Sequence, residues 1–254
     1  MPRYFIEVAY KGTDYSGFQV QENANTIQAE IEKAFRIVHQ KDLLLTGSSR
    51  TDAGVHALQN FFHFDIEEGL NPRFVYKINA LLPKDIVVNK IVQMPFVAHC
   101  RFDATSREYR YHIHRFKNPF VQHTSFYFPY KLDLELMGQA SEFVLKQTNF
   151  FAFSKTNSQV KTFNCKILKS DWLIEGDAFT YTIEANRFLR GMVRAITASL
   201  LNVGRRKLSI QQFESLFTAE QKAGLSVPAH GLFLVGVRYP LNYFPARGLS
   251  FTAF

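Results

Sequence analysis

One short stretch holds the residue types that could do chemistry: Gly47-Ser48-Ser49-Arg50-Thr51-Asp52-Ala53-Gly54-Val55-His56-Ala57. It is a dense run of small and polar residues between two apolar, strand-like segments. Glycines at both ends permit sharp turning. A loop carried by a rigid scaffold is where chemistry usually sits. Asp52 is the lead candidate: an ionised carboxylate acts as a nucleophile or a base. Local sequence alone reads Thr51-Asp52-Ala53-Gly54 as a plain turn in which Asp bonds its own backbone. Against that stands Arg50, a fixed cation two residues away that could hold the carboxylate ionised.

Other chemistries find less support. His56 is four residues from Asp52, but a loop does not fix that spacing as a helix would. His112 and His114 share a strand face and could share a metal, yet no third ligand lies near them, and two basic residues facing RNA or solvent is the simpler reading. No GxSxG elbow supports a Ser-His-Asp triad, and no GxxxxGK[ST] loop supports nucleotide hydrolysis. Cys100 and Cys165 form no CxxC pair, which argues against a zinc knuckle.

Basic residues cluster beside aromatics. Arg101, Arg107, Tyr109, Arg110, Tyr111 and Arg115 form one group. Arg187, Phe188, Arg190 and Arg194 form another, continued by Arg205, Arg206 and Lys207. Cations neutralise phosphates and aromatic rings stack on unpaired bases. The alternative for Arg187, Arg190 and Arg194 is a solvated stripe on an otherwise apolar helix, which also suits a cleft wall.

The elements that must position these residues read in order. Residues 4–10 alternate as a strand, followed by turn chemistry at 11–17. Asn25 or Thr26 caps a helix whose apolar face is Ile27, Ile31, Ala34, Phe35 and Val38, with Gln28 as capping-box partner if Asn25 is the cap. Residues 43–46 enter the central loop and 58–64 leave it as strands. Asn71-Pro72 opens a second helix, with Pro at its first position, and 86–92 is a β-branched strand. The order strand, helix, strand, strand, helix, strand is the ferredoxin-like one.

The second half repeats that order. Residues 106–116 form a strand with Tyr109, Tyr111 and Ile113 on one side and Arg110, His112 and His114 on the other. Asp133 caps a helix with Leu134, Met137, Phe143 and Val144 inward. A hairpin turns at Glu175-Gly176-Asp177, a helix covers 188–201, Ser209 caps a shorter helix, and 232–239 closes the half. The expected fold is therefore α+β, with two ferredoxin-like (βαββαβ) halves at 1–104 and 105–254. Their antiparallel sheets form a central cleft, and helices lie on the outer faces.

The 254 residues suffice for a large core. Phe occurs 26 times, which puts most of the rings in that core. Lys and Arg number 30 against 22 Asp and Glu, a formal net charge of +8 that favours a polyanionic partner. No apolar stretch has the length of a membrane span, and no signal peptide is evident, so a cytoplasmic location is expected.

Arg50-Thr51-Asp52-Ala53-Gly54-Val55-His56-Ala57 closely resembles the signature of the TruA family of tRNA pseudouridine synthases. Tyr10-Lys11-Gly12-Thr13 with Gly17-Phe18-Gln19-Val20-Gln21 resembles the opening motif of that family, and Asn79-Ala80-Leu81-Leu82-Pro83 with Asp85-Ile86 its middle motif. His99-Cys100-Arg101-Phe102-Asp103-Ala104, then Arg107-Glu108-Tyr109-Arg110-Tyr111, resembles the motif bearing its active-site Tyr. Phe188-Leu189-Arg190-Gly191-Met192-Val193-Arg194 is similar to its C-terminal helix, and Pro228 with Gly231-Leu232 to its closing strand. The motifs stand in family order over nearly the whole chain. Ser48-Ser49, Gly191 and Thr148-Asn149-Phe150 depart from the usual pattern.

The resemblance implies an isomerase that converts uridine to pseudouridine in the tRNA anticodon stem-loop, around positions 38 to 40. It implies no cofactor, no metal and a homodimer that shares one tRNA. It makes Asp52 the nucleophile, with Arg194 pairing to it and Tyr109 stacking on the uracil. Arg50 would fill the gap left by the extruded nucleotide. Thr51, His56, Arg101, Arg107, Tyr111 and Arg190 would contact the substrate. The rival is a non-catalytic RNA-binding protein on a ferredoxin-like platform, which explains the charge and the aromatics but not a carboxylate among cations.

Overall fold

In chain order the strands and helices are β1 (Arg3–Tyr10), α1 (Ile27–His39), β2 (Thr46–Gly47), β3 (His56–Asp65), α2 (Phe74–Leu81), β4 (Ile86–Met94), β5 (Ser106–His114), β6 (Phe126–Tyr127), α3 (Leu134–Leu145), β7 (Ile167–Glu175), β8 (Ala178–Ala185), α4 (Met192–Gly204), α5 (Ile210–Ser215), β9 (Leu232–Arg238) and β10 (Ser250–Thr252). This is a computed structural model that describes residues 1–156, 160–245 and 250–252. The result is an α+β protein with mostly antiparallel strand pairing. It groups into two compact units, Met1–Thr105 with Leu234–Phe254, and Ser106–Phe233.

In the first unit β1 is central, antiparallel to both β3 and β4, and β2 pairs antiparallel with β3. The helix α1 begins where Thr26 accepts a hydrogen bond from Ala29 N at 3.3 Å, so Thr26 and not Asn25 is its cap. Gln28 is thereby released from a capping box. Its amide instead donates to Leu45 O at 2.9 Å and ties the helix to the segment entering the central loop. Ile27, Ile31, Ala34 and Phe35 are buried, as the helical spacing requires. The helix stops at Gln40, which adopts a left-handed φ of 56° and returns its N–H to Arg36 O.

The helix α2 starts two residues later than expected. Asn71 Oδ1 accepts from Arg73 N at 2.8 Å, an Asx turn ahead of the helix. Asn79 then exchanges two 2.8 Å hydrogen bonds with the main chain of Val88 and clamps α2 onto β4. Rings fill the core: Phe35 lies 5.0 Å from Phe64 and 5.1 Å from Phe74, and Phe18 stacks on Phe62 at 4.5 Å. The sequence reading kept 105–254 together; Leu234–Phe254 instead groups with the first unit. The reason is aromatic. Tyr239 and Tyr243 sit 6.1 Å from Phe5, and Tyr239 is 5.4 Å from Phe61.

In the second unit β5 and β7 flank β8, all antiparallel, and the short β6 runs parallel to β5. Gly176, with φ at +60°, turns the β7–β8 hairpin where the sequence placed it. Asp133 caps α3 by accepting from Leu136 N at 3.2 Å, while Leu134 is exposed rather than inward. A capping box of Ser209 and Gln212 starts α5. Phe217 anchors the local core, 4.8 Å from Phe153 and 5.5 Å from both Phe143 and Phe213. Among the described residues, no helix is long and apolar enough to cross a membrane.

Candidate active site

The stretch from Gly47 to Ala57 is fixed from several directions. Ser48 N–H donates to Phe61 O at 2.7 Å, Thr51 O accepts from Phe18 N at 3.1 Å, and Gly54 N–H reaches Tyr15 O at 3.4 Å. Asp52 O accepts from Val55 N at 3.1 Å, closing a β-turn whose third residue, Gly54, has φ at +77°. Such a turn favours glycine there. The main chain therefore makes a turn over Asp52-Ala53-Gly54-Val55, one residue on from the stretch that the sequence reads as a turn. Asp52 is half-buried, and Arg50 is exposed.

The polar neighbours of Asp52 are structural bolts. Thr51 is buried, with its hydroxyl 2.8 Å from that of Tyr10. Asn60 donates to Tyr10 Oη at 3.2 Å and to Ser49 O at 2.9 Å. Burial pushes the Tyr10 phenol up to about 12, so it stays protonated as a link in this chain. His56 is 1% exposed, and its Nδ1 accepts the N–H of Gly12 at 3.0 Å. Gly12 has no room for a side chain: a Cβ there would lie 2.1 Å from Val55 O. Thr51 and His56, expected to contact substrate, are buried and brace the turn that carries Asp52. Tyr10, Gly12 and Asn60 belong to the same brace. Of these, the opening motif flagged the first two, and nothing local flagged Asn60.

The other expected site residues divide between the units. Arg101 is exposed in the first unit and lines a cavity of about 300 Å³ with Arg50. In the second unit Tyr109 is buried on β5, its ring edge-on to Phe188 at 5.1 Å. Arg107 is buried too, and Nη1 donates to Asn186 O at 3.1 Å. Tyr111 is wholly buried, and its hydroxyl donates to Pro228 O at 2.8 Å. Burial raises its pKa far above the ordinary phenol value, opposed by the nearby charge of Arg194. Tyr111 thus acts as a strut within its unit. It fixes Pro228, and the preceding carbonyl, Val227 O, accepts from Arg194 Nε at 2.8 Å.

The expected helical stripe of Arg187, Arg190 and Arg194 is corrected. The helix α4 begins only at Met192, because Gly191 ahead of it has φ at +74°, outside the helical region. Arg194 is in the first turn and half-buried. Arg190 is exposed in the preceding loop, its carbonyl accepting from Lys155 N at 2.9 Å. His112 and His114 each hydrogen-bond within the second unit; their Nδ1 atoms meet Thr180 Oγ1 at 3.1 Å and Ser125 Oγ at 2.9 Å, respectively.

One grouping escaped the sequence reading. Among the described residues, His63, His99 and Cys100 bring three donor atoms within 4.8 Å of one another. The Cys100 thiol donates to Thr46 O at 3.1 Å and lies 3.2 Å from His63 Nδ1. Burial, and then the charge of Arg3, lower His63 from 6.5 to about 4. A cation beside the cluster disfavours a metal, and the hydrogen bonds already use the thiol. The shift sets a pH dependence. A folded pKa below the free value means that neutral His63 favours the fold. That stability is complete above pH 6.5 and is lost as pH falls towards about 4. The slope is about 1.4 kcal/mol per pH unit. Urea unfolding between pH 7.5 and 4.5 should therefore show a shallower acid loss in His63→Gln than in the wild type. Equal slopes would refute the assignment.

Comparison with known proteins gives the class. A family model described as tRNA pseudouridine synthase matches residues 6–103 and 147–240. The chain belongs to that family. Within it, the chain is similar to proteins named tRNA pseudouridine synthase A. That of Parabacteroides distasonis is 46% identical over 251 residues, 97% of this chain and 100% of the relative. That of Bacteroides fragilis is 43% identical over 95% of this chain and 98% of the relative. A more distant one, from Staphylococcus aureus, is 32% identical over 91% and 89%, respectively.

Proposed function

We propose that this protein converts uridine to pseudouridine in the anticodon stem-loop of tRNA, around positions 38 to 40, with Asp52 as the nucleophile. The observation that carries the reading is the half-buried Asp52 on a turn bolted by Tyr10, Thr51, Gly12 and His56, in a chain of this family. A rigid carrier suits catalysis, since misplacement of a reacting group by about 1 Å can cost on the order of 10²-fold.

The reaction breaks the N1–C1′ bond, turns the uracil and joins C5 to C1′. The C5 proton leaves and N1 gains one, so no atoms are lost overall and no redox cofactor is required. A carboxylate assists by attacking C1′ or C6, or by removing a proton on a glycal-type path. Arg194 holds the carboxylate, Tyr109 stacks on the uracil, and Arg50 replaces the extruded nucleotide in the stack. Exposed Arg101 and Arg190 are suited to phosphates. The same reading takes each unit as ferredoxin-like. Its support is the order β4-β1-β3, with the two-residue β2 paired to β3, in the first, and β5-β8-β7 in the second. It also takes the protein as a cytoplasmic homodimer.

The test is release of tritium from tRNA carrying C5-labelled uridine. One tritium per pseudouridine formed is expected. Tight binding of tRNA without release would instead identify a non-catalytic RNA-binding protein.

A further inference from the structure

Most phenylalanines are buried, but Phe102 is 75% exposed, and it is the outer end of an aromatic ladder. The His99 ring lies 4.2 Å behind it, His63 is 4.6 Å from His99, and Phe5 stacks on His63 at 6.0 Å. The turn that carries Phe102 is fixed in advance. His99 Nδ1 accepts the N–H of Arg101 at 3.1 Å and that of Phe102 at 3.3 Å. His99 N–H donates to Asp103 Oδ2 at 2.8 Å, and the same oxygen accepts from Tyr243 Oη at 2.5 Å. Presenting this ring costs little further ordering, so contact with it converts efficiently into affinity.

The ring borders the cavity of about 300 Å³ that Arg50, Arg101, Gln19 and Thr46 also line. This is the lower end of the range for ligand pockets, a size for one small unit and not for a duplex. Two guanidinium groups flank it, and none of the described residues lining it is acidic. Arg101 Cζ is 5.8 Å from the centre of the Phe102 ring. An exposed ring beside paired cations, with an amide at the edge, matches a single unpaired nucleotide: phosphate to the Arg101 guanidinium, base to the ring. Asp52 is not among the residues that line the cavity, which favours an occupant other than the reacting base.

We propose that Phe102 and Arg101, beside Arg50, form a subsite for one unpaired nucleotide of the RNA, distinct from the uridine being isomerised, with its base stacked on Phe102. The proposal rests on the reading of the substrate as RNA given above.

The test uses the full-length protein with unmodified tRNA transcript and with anticodon stem-loop RNAs carrying one abasic residue at a time. Phe102→Leu should weaken tRNA binding roughly tenfold, since stacking on an aromatic side chain is worth about 1–3 kcal/mol per base. The loss should fall on Kd rather than on the single-turnover rate at saturation, and Phe102→Trp should restore affinity. One abasic position other than the target should weaken binding to the wild type by a similar factor and add nothing to Phe102→Leu. Unchanged affinity in Phe102→Leu would overturn the subsite. So would coupling of Phe102 to the target uridine, or a loss confined to the rate at saturation. If no tritium is released while the Phe102 coupling persists, the isomerase reading fails and the subsite stands.

Discussion

Asp52→Asn is expected to reduce single-turnover isomerisation by about 10³-fold or more, on the order of 4 kcal/mol of barrier. Binding of tRNA should change by less than about threefold. Asn has almost the shape of Asp but lacks the charge and nucleophilicity, and removing a nucleophile typically costs several orders of magnitude. The fold should survive, because the turn at Asp52 runs through the main chain: Asp52 O to Val55 N–H at 3.1 Å, with Gly54 at positive φ. The bolts on either side, Thr51 to Tyr10 and His56 to Gly12, use other side chains. The measurement pairs tritium release under excess enzyme with filter binding and a thermal melt. Activity above about a tenth of wild type, with an unchanged melt, would end the nucleophile assignment. Lost activity with lost tRNA binding would instead make Asp52 part of the binding surface.

The sequence made Asp52 legible because a turn is a local event. A carboxylate, a cation and two glycines within eight residues define it without knowledge of the fold. The helical faces were legible for the same reason: spacing of three and four residues put Ile27, Ile31 and Phe35 together, and the structure buries them. What local pattern could not show was which polar residues look inward. Thr51 meets Tyr10 across 41 residues, and Tyr111 meets Pro228 across 117. Both carry groups that suit a substrate equally well, and only tertiary contact reveals that the protein itself uses them. The arginine stripe failed for another reason. Its spacing was helical, but Gly191 delays the helix, and no spacing rule reports the φ of a glycine. Composition also misled in part. Phe is mostly core, yet Phe96, Phe102, Phe116 and Phe120 are exposed, so a count of rings conceals those left for a partner.

Arg194→Ala is expected to lower turnover by roughly 10²- to 10³-fold while tRNA affinity stays within about threefold. The side chain is half-buried in the first turn of α4, and Nε donates to Val227 O at 2.8 Å. That bond sets the plane of the guanidinium. The carbonyl is held in turn because the next residue, Pro228, is fastened by Tyr111. A cation held this way is costly to build for mere attraction of phosphate, which the exposed Arg101 and Arg190 can provide. It suits a partner that needs fixed geometry, and under the proposed function that partner is the Asp52 carboxylate. Deleting one member of such a partly dry pair strands the other, at a cost of about 3–5 kcal/mol. Arg194→Lys keeps the charge but loses the planar fork, so its loss should be intermediate, roughly tenfold. Two residues acting as one unit are not additive, and the double variant Asp52→Asn/Arg194→Ala should be about as slow as Asp52→Asn alone. Losses that multiply in the double variant would separate the two residues. Weakened tRNA binding with normal turnover at saturation would reduce Arg194 to a phosphate contact.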